Sequence, residues 1–437
     1  MAFRQVEAAG MTITNAEQAR SRATGLWLRT SWLRSSPLVL SAVAAVAYVL
    51  REPGMLSSPF TIPLYAEDGA VYLKDAIERG GSAILEPYNG QLFILQRLVA
   101  FFAAFFPIRF EVPLYQAAAI AIAVLSCSIA LSSRWRGGIP IGARFVCVLA
   151  LLCSPAVDEA YATLASAHWW LAIGLVLLGM LYDPISRRIK AGEIIFTAAT
   201  ALSGFAALYA IPSLAVRAAR NRSRHSLLLL GIAASGVVAQ FGLLEASSRR
   251  GNVATLLSQP VTDLVVLGRR VFGTALLGDG NLAVHWPGQM PETWVWIPVL
   301  ALLAALAVMW LRAPRLEAGA LVATLVGSWL LALWGFTLPG LQISTLSFPL
   351  AASRYFLVPI GAIYVSLILT WPPSRLHRVV LGSACLILAF GIYSDYRLYP
   401  YRSSDWPSFV ACVQQAERTC STTIPPNWTL EINPPGH

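Results

Sequence analysis

Two pairs of neighbouring acids and one arginine carry the most chemistry in this sequence. Glu67 and Asp68 stand in "LYAEDGAVYLKDAIERGG", just beyond the first apolar run, and Asp158 and Glu159 stand in "SPAVDEAYATLASAHWW", at the mouth of two others. Arg354, in "AASRYF", lies on the threshold of a later run. A carboxylate beside a reacting hydroxyl or amine takes its proton, and an arginine fork holds a leaving phosphate. Together they are the minimum apparatus for moving a group from a lipid phosphate to an acceptor. His168 either anchors at a membrane interface beside Trp169 and Trp170 or joins that site. Arg269 and Arg270, in "GRRVFG", either bind lipid head groups or solvate their loop. Asp75 and Glu78 read as solvated loop acids.

These residues need elements to position them, and the composition says which kind. Apolar residues make up 57% of 437 residues and charged ones only 12%. A soluble chain of this size has no interior large enough for so much apolar surface, so the class is an all-α polytopic membrane protein. The net charge of +10 reflects Lys and Arg held in cytoplasmic loops, and no nucleic-acid partner is implied. The N-terminal segment 1–36 carries five Arg and lacks a cleavable-signal pattern, which predicts a cytoplasmic N-terminus and an uncleaved anchor.

About nine full spans are expected, at residues 38–50, 113–131, 139–157, 164–182, 227–244, 293–311, 318–338, 355–371 and 379–392. Residues 89–106 carry Gln96 and Arg97 mid-run and read as a helix lying on the outer surface, with Arg97 snorkelling. Residues 194–216, interrupted by Gly204 and Pro212, read as a broken-helix hairpin that keeps the short Arg-bearing loops inside. Lys and Arg then divide 19 inside to 13 outside, whereas Asp and Glu divide 5 to 17. The acids played no part in choosing that topology, and they mark the outer face as the working surface.

The organisation expected is a cytoplasmic segment 1–36, a catalytic transmembrane module 37–245, a C-terminal transmembrane module 246–394 and an extracytoplasmic tail 395–437. Surface helices belong to outer loops 51–112, 158–168, 245–292 and 339–354. The location is the cytoplasmic (inner) membrane. Cys412 and Cys420, in the tail stretch "WPSFVACVQQAERTC", are expected to pair in an oxidising compartment. No metal-ligand spacing appears, and there is no phosphate-cradling Gly-x-x-x-x-Gly-Lys loop for a nucleotide.

The layout is similar to the integral-membrane C-type glycosyltransferases. The likeness rests on "AEDGAVYL", "PYNGQLFILQRLVAFF", "VDEAY" with "AHWWL", "LSGFAALYAIP" and "SRYFLVP". It covers most of the chain, is topological in nature, and points to uncharacterised bacterial members more than to one defined enzyme. The resemblance implies a polyprenyl-phosphate-linked sugar donor, a lipid or glycan acceptor, and inverting transfer on the periplasmic face. It implies that Asp68, or Glu67 beside it, deprotonates the acceptor, that Asp158 or Glu159 orients acceptor or sugar, and that Arg354 holds the donor phosphate. Family members that use a divalent metal have acids in both loops, as here, but a metal is not expected. The usual order in the family is Asp before Glu, whereas this chain reads Glu67-Asp68. Asp68 is favoured as the base because Gly69 and the amphipathic stretch follow it.

Two other readings share these features. A polysaccharide polymerase or ligase would draw on Arg249, Arg250, Arg269, Arg270 and His285. A glycolipid transporter or flippase would need charge at mid-membrane, which is sparse here.

Overall fold

The computed structural model describes residues 37–54, 64–135, 139–247, 253–285, 315–337, 352–369, 375–398, 405–415 and 419–433, with Leu346 and scattered positions in 300–311. Of residues 1–40, only 37–40 are described; residues 41–437 form one unit. A chain segment without water partners must satisfy its own N–H and C=O groups, so the apolar runs become helices. Among the described residues three helices are long and apolar enough to cross a membrane: Ile108–Leu131, Arg224–Ala246 and Arg315–Gly335, of 24, 23 and 21 residues. Shorter apolar helices form at Pro37–Val49, Ile141–Leu152, Ala167–Met180 and Ser353–Leu367. The expected run at 293–311 lies mostly outside the described residues.

The helix Ala167–Met180 is the centre of the fold. Its sequence, AHWWLAIGLVLLGM, is apolar on every face, and every residue except His168 is buried. A helix with no polar stripe is covered on all sides. Here the cover comes from Ile108–Leu131, from the helix Ile211–Asn221 and from the 3-10 segment Gly204–Ala210. Gly179 permits the closest of these approaches, since a Cβ there would lie 2.7 Å from the Ser213 carbonyl carbon.

The interrupted stretch forms a helix Arg187–Ala201, the 3-10 segment and then the helix Ile211–Asn221. Gly204 takes φ +66° at the break, and Pro212 sits in the first turn of the following helix, where its missing N–H costs nothing. Arg217 on the second helix lies 2.7 Å from Glu193, midway along the first. The two helices are therefore neighbours, and the segment turns back on itself.

The stretch with Gln96 and Arg97 forms a helix of only ten residues, Ile94–Ala103. That is about 15 Å, half the thickness of a hydrocarbon core. Arg97 does not snorkel: it is buried and 2.8 Å from Asp75. Asp75 is thus an ion-pair partner and not a solvated loop acid. Glu78, in contrast, is exposed as expected, and accepts hydrogen bonds from Asn433 N and Nδ2, both 3.1 Å.

The tail departs from an all-helical plan. After the helix Trp406–Gln415, strands β1 (Cys420–Ile424) and β2 (Trp428–Ile432) pair antiparallel, with Cys420 opposite Ile432. β2 alternates apolar and polar residues, Trp-Thr-Leu-Glu-Ile, which suits a strand with one covered face, and the buried positions Cys420, Ile424, Leu430 and Ile432 provide that face. It packs with Trp406 and Phe409 against Leu64, Tyr72 and Leu73 of the first loop. A disulfide joins Cys412 to Cys420.

Candidate functional site

The acids of each pair part company. Ala66 takes a left-handed conformation (φ +40°) and donates its N–H to the Pro425 carbonyl at 2.7 Å, so the tail fixes the kink before Glu67. A π-helical turn, Asp68–Leu73, follows; such turns recur at functional sites. Asp68 enters the core, 2% exposed, where Oδ2 accepts from Leu164 N at 2.9 Å and Oδ1 from Ala165 N at 2.6 Å. Burial pushes its carboxyl up to about 7 against those two hydrogen bonds. Glu67 instead faces a cavity, with its two oxygens each 3.4 Å from a terminal nitrogen of Arg354. The geometry therefore reverses the order expected from sequence: Asp68 ties two loops together, and Glu67 meets the open space.

Arg354 sits on the 3-10 turn Ser353–Phe356, entered through Ala352 at φ +52°. Its Nε lies 3.7 Å from Glu159 Oε2, an oxygen that is buried and accepts no hydrogen bond. The Glu159 N–H donates to Ser353 Oγ at 3.3 Å, which seats the second acid loop on the arginine turn. Burial pushes the Glu159 carboxyl up, and the Arg354 charge opposes it.

Asp158 does not join this group. It does not line the cavity; burial and the Asp279 charge push its carboxyl up, while the Arg51 charge pulls it down. Arg51, fully buried, donates to the carbonyls of Leu152 (2.8 Å), Ser154 (3.1 Å), Asp395 (2.9 Å) and Tyr396 (3.1 Å). It staples three chain segments and had no signal in the sequence beyond being an arginine after an apolar run.

The cavity has a volume of about 270 Å³. Glu67 and Arg354 line it, Asn89, Gln91 and His168 add polar groups, and Tyr72, Tyr88, Phe93, Trp169, Tyr209, Trp334 and Tyr355 supply aromatic faces. His168 is thus part of the cavity as well as stacked with Trp169, ring centres 4.6 Å apart. Its Nδ1 lies 2.8 Å from the Ala165 carbonyl. A carbonyl only accepts, so Nδ1 carries the hydrogen and Nε2 keeps its lone pair.

Asn89 and Gly90 reverse the chain with φ of +51° and +74°. Tyr88 and Gln91 bond each other across the turn at 2.8 and 3.0 Å. Gln240 holds Leu92 on both sides, accepting its N–H at 2.8 Å and donating to its carbonyl at 3.2 Å. Gly204 N also donates to the Leu92 carbonyl at 2.7 Å, and Ile94 N to the Leu202 carbonyl at 3.0 Å. The backbone groups exposed where the long helix breaks are the dock for this loop. The break near Gly204 was visible in the sequence; that it receives the turn at Asn89 and Gly90 was not.

The remaining candidates lie elsewhere. Arg270 is buried and paired with Asp279 at 2.5 Å, stacked on Phe356, so it is no surface lipid contact. Arg269, its neighbour on the π-helical turn Leu267–Gly273, is half-buried and outside the cavity lining. Arg249, Arg250 and the side chain of His285 fall outside the described residues. Among the described residues no cluster of three or more His, Cys, Asp or Glu is arranged to hold a metal ion. The chain matches no family model, no curated protein and no solved structure.

Proposed function

We propose that the protein transfers a sugar from a polyprenyl-phosphate donor to a hydroxyl or amine acceptor. The observation that carries this reading is the contact of Glu67 with Arg354 at the polar end of an aromatic cavity. Arg354 provides the fork that suits a phosphate, and Glu67 provides a carboxylate within the same few ångströms. Aromatic faces suit the C–H faces of a sugar ring, and Asn89, Gln91 and His168 offer groups for its hydroxyls. The volume lies just under the roughly 300–1,000 Å³ of sites for drug-sized ligands, which fits one sugar ring better than a glycan chain.

In this reaction the acceptor O–H or N–H gives its proton to Glu67 as the heteroatom bonds to the sugar carbon. The bond from that carbon to the phosphate oxygen breaks from the opposite side, and its electron pair leaves on the phosphate beside Arg354. The products are an inverted glycoside and a polyprenyl phosphate.

The reading places the chemistry on the outer face of an inner-membrane protein with N-terminus inside, tail outside and nine full spans around the hairpin. Its supports are the 17 to 5 division of the acids and the Cys412–Cys420 disulfide in the tail.

The test is transfer of labelled sugar from polyprenyl phosphate by the purified protein. A general base contributes typically 10²- to 10⁴-fold in rate. Glu67→Gln is expected to lose about that much turnover, while Asp68→Asn keeps most of it at permissive temperature. Parental rates in Glu67→Gln would remove the base from this reading.

A further inference from the structure

The Glu67–Arg354 contact is a weak pair in a place where a strong one was available. Both oxygens of Glu67 face the guanidinium, yet at 3.4 Å, and Glu159 stands at 3.7 Å on the Nε edge. Charge-assisted N–H···O bonds are usually about 2.7–2.9 Å long. Elsewhere in this molecule Arg217 reaches its acids at 2.7 and 2.9 Å. Arg354 and Glu67 are also 21% and 13% exposed, on the wall of a cavity. While the pair stands, the lone pairs of Glu67 point at the guanidinium and not at an acceptor hydroxyl. A phosphate group needs the same two terminal nitrogens, because they form the fork that matches its oxygens. Glu159 approaches the third nitrogen and does not compete for that fork.

We infer that Glu67 is a latch on Arg354, and that the donor's phosphate displaces it, so that donor binding is what frees the catalytic carboxylate. This inference rests on the reading of Arg354 as a phosphate site. It assigns Glu159 as a positioning residue: it keeps Arg354 aimed at the cavity after Glu67 has left. It also sets an order, donor before acceptor, which keeps the carboxylate occupied until there is a leaving group to act upon. Glu67 therefore opposes donor binding and promotes turnover, a combination that a purely structural ion pair does not produce.

The experiment measures equilibrium binding of geranyl phosphate to the purified full chain, with geraniol and inorganic phosphate as separate arms. Parent protein is expected to bind geranyl phosphate and not geraniol; competition by inorganic phosphate would assign the affinity to the anion, and its failure to compete would assign it to the lipid phosphate. Removing a half-buried competing carboxylate should tighten binding in Glu67→Gln by about two- to fivefold, although its turnover falls. Glu159→Gln should weaken binding and leave Glu67 as the base. A second measurement avoids variants altogether: geranyl phosphate should raise the labelling of Glu67 by a carbodiimide in the parent protein. If binding by a stably folded Glu67→Gln is equal or weaker, or if Glu67 labelling stays level or falls, there is no latch. If the parent binds no geranyl phosphate at all, it is the phosphate-site reading that fails.

Discussion

The two ends of the central helix Ala167–Met180 hold the same kinds of charge and treat them differently. Fourteen residues put them about 20 Å apart. At the Met180 end Arg217, fully buried, reaches Glu193 at 2.7 Å and Asp183 at 2.9 Å, and donates to the Leu178 carbonyl at 3.0 Å. Arg134 and His225 complete Glu193 at 2.6 and 2.7 Å. Burial would raise Asp183, but bonds from Ser223, Ser226 and Arg217 hold its carboxyl at about 2. At the Ala167 end Arg354 has its acids at 3.4 and 3.7 Å, Glu159 Oε2 accepts no hydrogen bond, and a cavity opens beside them. Buried polar networks that are fully satisfied rigidify a fold. One left partly unsatisfied beside open space has capacity for a ligand. The first end holds helices together; the second is poised for something to arrive.

The contrast can be broken by exchanging which arginine is removed. Arg217→Ala removes the fully buried cation that Glu193 and Asp183 share, and breaking a buried ion network by removing one partner typically costs about 3–5 kcal/mol. The variant is expected to melt far below the parent or to fail in purification, as thermal unfolding in detergent would show. An unchanged melting temperature would mean that the tight geometry is not structural.

The disulfide joins this comparison because the tail holds Ala66 and so aims Glu67. Cys412→Ser with Cys420→Ser opens a short loop, for which the chain-entropy estimate is about 2–3 kcal/mol. The double variant should lose melting temperature and sugar transfer together. Retained transfer would show that Pro425 is not what positions the first loop.

Arg354→Ala should cost far less melting temperature than Arg217→Ala, because Arg354 and Glu67 line the cavity and are partly exposed there. Its cost appears in donor use, about 1.5–3 kcal/mol for a charge-assisted contact, which is roughly 10- to 150-fold in donor KM. Arg354→Lys should fall between, since the fork is lost and the charge kept.

The smallest effect concerns Asp68. Its carboxyl is raised by burial from 3.8 to about 7, with Glu52 at about 7 and Asp395 at about 6 moving the same way. Between pH 4 and 7 the folded protein therefore binds more protons than the unfolded chain, and stability falls as pH rises through that window. Asp68→Asn should flatten part of this slope. It should also cost about 1 kcal/mol, because the Asn amide confronts one of the Leu164 and Ala165 N–H donors. Melting temperatures at pH 4, 5.5 and 7 for parent and variant would read both effects, and parallel curves would remove Asp68 from the titration.

How much of this was legible beforehand varies by residue. Membrane character, the break at Gly204 and Pro212 and the Cys412–Cys420 pairing all follow from local composition and spacing. Arg354 stood out as a charge at the end of an apolar run. The partners of Arg97, Arg217 and Arg270 did not, since each lies on a different element and sequence carries no distance between elements. The strands β1 and β2 left little mark in the sequence, because five residues each are too few for a period of two to stand out.

The sequence by itself determined that the chain is helical and apolar, that its acids gather in a few loops, and that two of those loops carry adjacent acid pairs. It could not say which acid of each pair matters, because neighbouring side chains diverge and only their surroundings distinguish them. The tertiary structure decided that. Two backbone N–H groups from another loop captured Asp68, and a left-handed residue pinned by the tail turned Glu67 to the cavity. Asp158 came under the charges of Arg51 and Asp279, and Glu159 went to Arg354. Each of these outcomes depends on contacts between residues some 100 to 360 positions apart, which is why packing, and not local pattern, selected the site.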